Sequence, residues 1–172
     1  MGGDGSRAAP APDSSATRHA IIFLATSAYL GYAPVASGTF GTLAGVALFP
    51  AFDAIRALSV PLYLLSFLGL VAAAIWIAGQ AEALFGESDS GKITIDEVAG
   101  YIAATLFVRP GLATIAASFF LFRLFDVVKP WPASFFDRRL HGGPGVVLDD
   151  VFSGFYANLA LRALAWLGGL SL

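Results

Sequence analysis

The feature that most constrains this chain is a long apolar run without charge. Residues 60–81 read VPLYLLSFLGLVAAAIWIAGQA and contain no acidic or basic side chain. As an α-helix, the run would extend about 33 Å, which is enough to cross the hydrocarbon core of a bilayer. We therefore expect a membrane-spanning helix here.

The composition supports a membrane protein and excludes several other classes. Of the 172 residues, 57% are hydrophobic and 13% are charged, and a chain this short has too much surface to bury so many apolar side chains. A net charge of −2 leaves no strongly basic surface that could bind nucleic acid. Because the composition is apolar, the bilayer is the expected partner. The absence of cysteine excludes disulfides, thiolate zinc sites and a cysteine nucleophile.

The first residues of the chain differ from the rest. Residues 1–19 are rich in Gly, Ala, Pro, Ser and Asp, and we predict a disordered tail followed by a single membrane-embedded domain over residues 20–172. The apolar run 20–30 has the length of a signal-peptide core, but no Ala-x-Ala site closes it. We favour a retained, partly embedded helix.

The remaining apolar runs predict further helices. Arg109 and Pro110 divide runs 98–108 and 111–122, which indicates a hairpin or a broken helix. Run 151–172 is long enough to span, although Arg162 within it must snorkel or find a partner. Because strand alternation is weak, we predict an all-α, compact helical bundle with several spanning or partly inserted helices. Nothing in the sequence indicates an oligomeric state.

A first polar segment interrupts the apolar sequence at residues 93–97. Thr94 and Glu97 match a capping box, so a purely structural helix start, with Asp96 favoured by the helix dipole, is one interpretation. The other is a functional site, because adjacent carboxylates are costly beside an apolar helix unless they are paired or bind a metal.

A second polar segment places charges at every third residue. Arg123, Asp126 and Lys129 would form one stripe on a helix that ends near Lys129, because Pro130 disfavours helical geometry before it, with Trp131 in the interfacial zone. A salt-bridged structural stripe and a phosphate clamp both remain open.

A third polar segment covers residues 137–150. Asp137, Arg138, Arg139 and His141 precede a glycine-rich loop, and Asp149 and Asp150 precede the last apolar run. The glycines permit close approach of a ligand to the backbone, although an ordinary turn followed by helix-capping aspartates is the structural alternative. Taken with the other two segments, this set of carboxylates and basic groups suits Mg²⁺, which prefers oxygen ligands, together with a phosphate.

The amino-acid sequences of these segments resemble those of a known family. GYAPVASGTFGTLAG, ITIDEVAGY and FRLFDVVKPWPASFFDRRLHGGPGVVLDDVFSGFYAN, within residues 31–158, are similar to the phosphatidylglycerophosphatase A family. The resemblance implies a Mg²⁺-dependent enzyme that removes the terminal phosphate of phosphatidylglycerophosphate to give phosphatidylglycerol in bacterial membranes. Ser37 stands where this family often has proline, so we assign Ser37 no essential role.

The resemblance also implies roles for individual residues. The metal ligands would come from five carboxylates, which with His141 form the catalytic set: Asp96, Glu97, Asp126, Asp149 and Asp150. The substrate phosphate would bind basic side chains and glycine turns: Arg123, Lys129, Arg138, Gly38, Thr39, Gly142 and Gly143.

Three alternatives accompany this interpretation: the same fold acting on another phosphomonoester, a transporter or channel that uses intramembrane charges, and a structural subunit whose charges pair with a partner. The basic residues between Arg123 and Arg139 predict that this face is cytoplasmic, and the resemblance implies a bacterial inner membrane.

Overall fold

The computed structural model describes residues 14–168, which form seven α-helices and no strand. The helices are α1 Ser15–Ala25, α2 Ser37–Leu58, α3 Val60–Phe85, α4 Ile95–Ala104, α5 Leu112–Val128, α6 Ala133–Arg139 and α7 Gly143–Leu167, and a 3-10 turn covers Leu30–Tyr32. The predicted all-α compact bundle is confirmed.

Two helices within residues 14–168 are long and apolar enough to cross a membrane, α2 and α3. Only 28% and 22% of their most apolar stretches are buried, unlike the core helix of a soluble protein. The apolar surface they expose therefore suits lipid. Helix α7, which contains most of the run 151–172 predicted to span, is not one of these two.

Helix α3 contains the predicted span and has clear signals at both ends. Ser59 accepts a hydrogen bond from the Leu62 amide, and Pro61 lies in the first turn, where its missing N–H costs nothing. Gly86 ends the helix with φ +67°, a left-handed conformation that glycine adopts without strain.

Helix α4 forms the centre of the bundle. Nine of its ten residues are buried, and it packs most extensively against α7. The two backbones approach closely at Gly100 and Gly154, since a Cβ atom at Gly154 would overlap the Gly100 carbonyl oxygen. Side-chain volume is therefore excluded at this crossing.

The chain breaks between α4 and α5 at Arg109 and Pro110, as predicted. Asn158 and Arg162 of α7 satisfy the carbonyls at this break: Asn158 Nδ2 donates to Ala104 O at 2.8 Å and Leu106 O at 3.0 Å, and Arg162 Nη2 donates to Leu106 O at 2.8 Å. Arg162, which lies in an apolar run, thus has hydrogen-bond acceptors in Leu106 O and Asn158 Oδ1.

Two predicted boundaries differ from the structure. Residues 1–13 of the predicted tail lie outside the described residues, but residues 15–19 belong to α1, because Ser14 caps that helix by accepting from the Thr17 amide at 3.1 Å. The glycine-rich segment expected to be a loop instead starts α7 at Gly143, with Pro144 in the first turn, where proline is favoured.

Candidate active site

The polar ends of four helices enclose a cavity of about 160 Å³, which we call the acidic cavity. Its charged lining consists of Asp89, Asp96, Glu97, Asp126, Lys129, Asp149 and Asp150. The fold therefore brings together carboxylates from all three polar segments of the sequence.

Each helix contributes its polar end to this cavity. Helices α2 and α4 contribute their first turns, with Ser37 and Gly38 on α2 and Asp96 and Glu97 on α4. Helix α5 contributes its last turn and α7 its second turn. Because a helix N-terminus carries partial positive charge and unpaired amides, the ends of α2 and α4 favour anions here.

Glu97 connects three helices through its carboxylate. Its Oε2 accepts hydrogen bonds from Arg123 of α5 and, at 3.1 Å, from Thr42 Oγ1 of α2. The capping-box interpretation is therefore wrong, because the Thr94 side chain does not cap α4. Thr94 Oγ1 instead donates to Ser27 Oγ at 3.1 Å, and the Glu97 carboxylate binds side chains of α2 and α5.

The basic stripe on α5 divides between two sets of partners. Arg123 Nη1 pairs with Asp126 Oδ2 at 2.9 Å as well as with Glu97. Lys129 ends the helix in a left-handed conformation, φ +44°, and its Nζ donates to Asp149 Oδ2 at 2.6 Å and Asp137 Oδ1 at 2.7 Å. Both cations thus hold carboxylates of the acidic cavity in place.

Burial disfavours the ionised form of the carboxyl groups in this cavity. Burial raises the pKa of Glu97 to about 7, with a further rise from Asp126 and an opposing effect of Arg123. Burial also raises the pKa of Asp149 to about 6, despite the hydrogen bond from Lys129. These groups lie outside the two candidate spans. Their ionised forms together favour an additional positive charge.

The donor chemistry fits a divalent cation that prefers oxygen. Asp149 Oδ1 is buried and accepts no hydrogen bond from any residue in the described range, so one carboxylate oxygen is free for a ligand. Within residues 14–168, no group of three acidic or histidine side chains already converges as an ion site. Arg123 and Lys129 instead engage Glu97, Asp126 and Asp149.

A smaller cavity of about 60 Å³ adjoins the acidic cavity and shares Asp89 and Asp149 with it. His141 and Gly142 line this cavity, and Gly142 has φ +73°, which glycine accommodates without strain. The structure therefore places His141 next to the acidic cavity rather than in its lining.

Four predicted phosphate-binding residues line neither cavity among the described residues: Thr39, Arg123, Arg138 and Gly143. Arg123 instead pairs with Glu97 and Asp126. Thr39 is half-buried in the first turn of α2, and Arg138 is exposed on α6. Gly143 serves packing, because a Cβ atom there would overlap the Ile75 carbonyl of α3.

Further residues that were not predicted from the sequence also shape the site. Thr42 binds Glu97, and Ser37 donates through Oγ to Gly91 O at 2.7 Å while lining the acidic cavity. Asp89 and Ser90 line the same cavity from the loop before α4. Asp89 could have been found from its polar neighbours just before the first acidic pair, whereas no local pattern marks Thr42.

This fold and cavity define a class: a membrane-associated helical protein with a strongly acidic polar site at one end of its helices. Comparison with known proteins gives the particular family. The chain matches the family model described as Phosphatidylglycerophosphatase A over residues 23–165. It therefore belongs to the phosphatidylglycerophosphatase A family, whose members are phosphoric monoester hydrolases.

Three curated relatives cover most of the chain. Phosphatidylglycerophosphatase A of Escherichia coli K12 is 34% identical over 72% of this chain and 71% of its own length. Phosphatidylglycerophosphatase A of Haemophilus influenzae Rd is 33% identical over 76% and 80%. A putative phosphatidylinositol-3-phosphatase of Bacteroides thetaiotaomicron is 29% identical over 86% and 95%. No solved structure matches the chain.

Proposed function

We propose that this chain is a Mg²⁺-dependent phosphatase that removes the terminal phosphate of phosphatidylglycerophosphate and releases phosphatidylglycerol, as a step of phospholipid biosynthesis. Family membership supports the reaction class, and the names of two relatives support this substrate. Membership in a hydrolase family also favours an enzyme over the transporter and structural-subunit alternatives.

One observation carries the proposal: the five predicted carboxylates line one cavity at the polar ends of apolar helices. A lipid phosphate presents a polar head next to hydrocarbon chains. A charged cavity at the end of membrane-length helices meets both parts of such a substrate.

The residues of the cavity have separable tasks in this proposal. Lys129 lies where it can neutralise a phosphate oxygen and the oxygen that departs with the lipid when the P–O bond breaks. The first amides of α2, at Ser37 and Gly38, lack acceptors within the helix and can donate to the phosphate. Arg123 orients Glu97 and Asp126 and so acts through them.

The carboxylates that would hold Mg²⁺ are Asp96, Glu97, Asp126, Asp149 and Asp150. When bound, the cation would polarise the phosphoryl group and lower the pKa of a water molecule. The raised pKa values in this cavity and the free Asp149 Oδ1 support a cation at this position.

We also propose that the cavity opens toward the cytoplasm in a bacterial inner membrane. Lys129, Arg138 and Arg139 lie at this end of the bundle, and the positive-inside tendency places such clusters on the cytoplasmic side. Cysteine-scanning accessibility in oriented vesicles would test this orientation. Labelling of Arg139→Cys from the outside alone would contradict it.

Phosphate release tests the proposed reaction. Detergent-purified protein should release inorganic phosphate from phosphatidylglycerophosphate with Mg²⁺ and not with EDTA, and Asp96→Asn should lose this activity. Asp53→Asn is a matched control, because Asp53 pairs with Arg56 on α2 outside the cavity. If the wild type released no phosphate with any metal, the proposed function would be wrong.

A second substrate is favoured by a specific observation. The Bacteroides relative named as a putative phosphatidylinositol-3-phosphatase covers more of this chain than the other two relatives do. Both substrates are phosphomonoesters of glycerophospholipids. Competition between phosphatidylglycerophosphate and phosphatidylinositol 3-phosphate in one assay would identify the preferred head group through the ratio of their kcat/KM values.

A further inference from the structure

An apolar groove of about 230 Å³ lies between α2 and α5, away from the acidic cavity. Only apolar side chains line it: Leu43, Val46, Leu112, Ile115, Ala116, Phe119 and Phe120. Several of them are open to the outside, with Leu112 88% and Phe120 71% exposed. We refer to it as the α2–α5 groove.

The α2–α5 groove is aligned with the acidic cavity along one face of α5. Leu112, Ala116, Phe119, Arg123 and Asp126 follow one another at spacings of four or three residues, which places them on the same side of a helix. Phe119 precedes Arg123 by one turn, a rise of about 6 Å. The groove therefore ends where the charged cluster begins.

Helix α2 shows the same order from the other side. Arg123 reaches α2 at Gly38, where an added Cβ atom would lie 3.1 Å from Arg123 Nη1. Thr42, one turn further along, binds Glu97, and Leu43 and Val46 of the groove follow directly. Because α2 and α5 contact each other sparingly, the cleft between them stays open beyond Gly38.

We propose that the α2–α5 groove binds an acyl chain of the lipid whose phosphate occupies the acidic cavity. This inference rests on the proposed function and adds to it the position of the hydrocarbon part of the substrate. An acyl chain is the one part of a phospholipid that a purely apolar lining accepts without leaving a polar group unpaired. Its attachment to the head group accounts for the alignment of the groove with the cavity along α5.

The groove would act by positioning. In a bilayer, an acyl chain gains little from moving between lipid and an apolar protein surface, so affinity rises only modestly. A chain held next to Arg123 restricts where the attached phosphate can lie, and such restriction contributes to the rate. Substrates whose chains are too short to reach past Phe119 should lose this benefit.

Filling the groove tests the inference. Ala116→Trp places a large ring in an exposed position of the groove, and Leu65→Trp, on the exposed face of α3, is the matched control. The measured quantity is the ratio of kcat/KM for phosphatidylglycerophosphate with hexadecanoyl chains to that with butanoyl chains. We expect this ratio to fall about tenfold in Ala116→Trp and to stay at the wild-type value in Leu65→Trp.

A second variant tests the same inference if Ala116→Trp does not fold. Phe120→Ala removes one wall of the groove at a mostly exposed position, so folding should persist, and the same ratio should fall severalfold. If the ratio were unchanged in both groove variants and the wild type hydrolysed the substrate, the groove would not bind the acyl chain. The proposed function would then still stand. A change of oligomeric state with an unchanged ratio would instead assign the groove to a second copy of the chain.

Discussion

Glu97 is the residue on which most of the acidic cavity depends. It binds Arg123 and Thr42, and Arg123 in turn binds Asp126, so one carboxylate fixes the relative positions of α2, α4 and α5. Its shape and its charge can be separated experimentally, because glutamine keeps the size of the side chain and removes the charge.

We expect Glu97→Gln to lower kcat by about a hundredfold or more, the usual cost of removing a charged group from a preorganised site. The amide oxygen can still accept from Thr42, so the helices should remain packed. Initial rates of phosphate release, compared at equal amounts of folded protein, measure the effect. Near-wild-type rates in Glu97→Gln, Asp96→Asn and Asp126→Asn would rule out the carboxylate site.

Lys129 should affect both stability and substrate binding. Lys129→Met leaves Asp149, whose side chain is 6% exposed, without its cation, and breaking such a pair costs about 3 kcal/mol. We expect a lower unfolding temperature together with a higher KM. Lys129→Arg should recover much of the stability because the charge remains.

Lys92→Met is the matched control for Lys129→Met. Lys92 pairs with Glu87 at 4.0 Å on the surface, and such pairs contribute at most about 1 kcal/mol. Equal effects of the two substitutions would mean that Lys129 has only a surface role.

At the scale of the elements, α7 both carries catalytic candidates and closes the break between α4 and α5. Asn158 satisfies two carbonyls at that break. Asn158→Ala should therefore destabilise the protein by about 1–3 kcal/mol, because it leaves the Ala104 carbonyl unpaired while Arg162 still donates to Leu106 O. Thermal unfolding in detergent would show this loss, while kcat at a temperature where the variant is folded should match the wild type. A large fall in kcat without destabilisation would place Asn158 in the site instead.

Local sequence signals predicted the element boundaries where one residue type controls the backbone. Pro130 ends α5 at Val128, Arg109 and Pro110 separate α4 from α5, and the uncharged run forms α3. The start of α7 was misplaced because glycine and proline at residues 143–145 fit a turn as well as the first turn of a helix. Packing of Gly143 on α3 decides between these, and packing is not a local property.

For the site as well, the residues could be predicted from local sequence, whereas their contacts depend on residues far apart in the chain. The acidic and basic residues could be recognised as a set, and seven of the predicted residues line the acidic cavity: Gly38, Asp96, Glu97, Asp126, Lys129, Asp149 and Asp150. Their pairing could not be read from spacing, because Glu97 and Thr42 are 55 positions apart and Lys129 and Asp149 are 20 apart. Partner choice in this cavity is set by the way the helices pack.

At the scale of the whole molecule, a bound cation should stabilise the fold. Mg²⁺ at about a hundred times its Kd would add about 2.7 kcal/mol, which corresponds to a rise of about 5 °C or more in Tm for a chain of this size. Thermal unfolding in detergent, first with EDTA and then with excess Mg²⁺, measures this rise. Asp150→Asn should reduce it and Asp53→Asn should not. A Tm rise that both variants retain in full would place the cation elsewhere.

The burial of α4 has a consequence for the order in which the protein is made. Helix α4 carries Asp96 and Glu97, yet its most extensive packing partner, α7, leaves the ribosome well after it. A nascent chain that has reached α6 therefore has its first acidic pair but lacks both Asp149 and Asp150 and the surface that encloses α4. Catalytic competence should be acquired abruptly, when α7 docks, and translation products that stop before Gly143 should be inactive and prone to degradation.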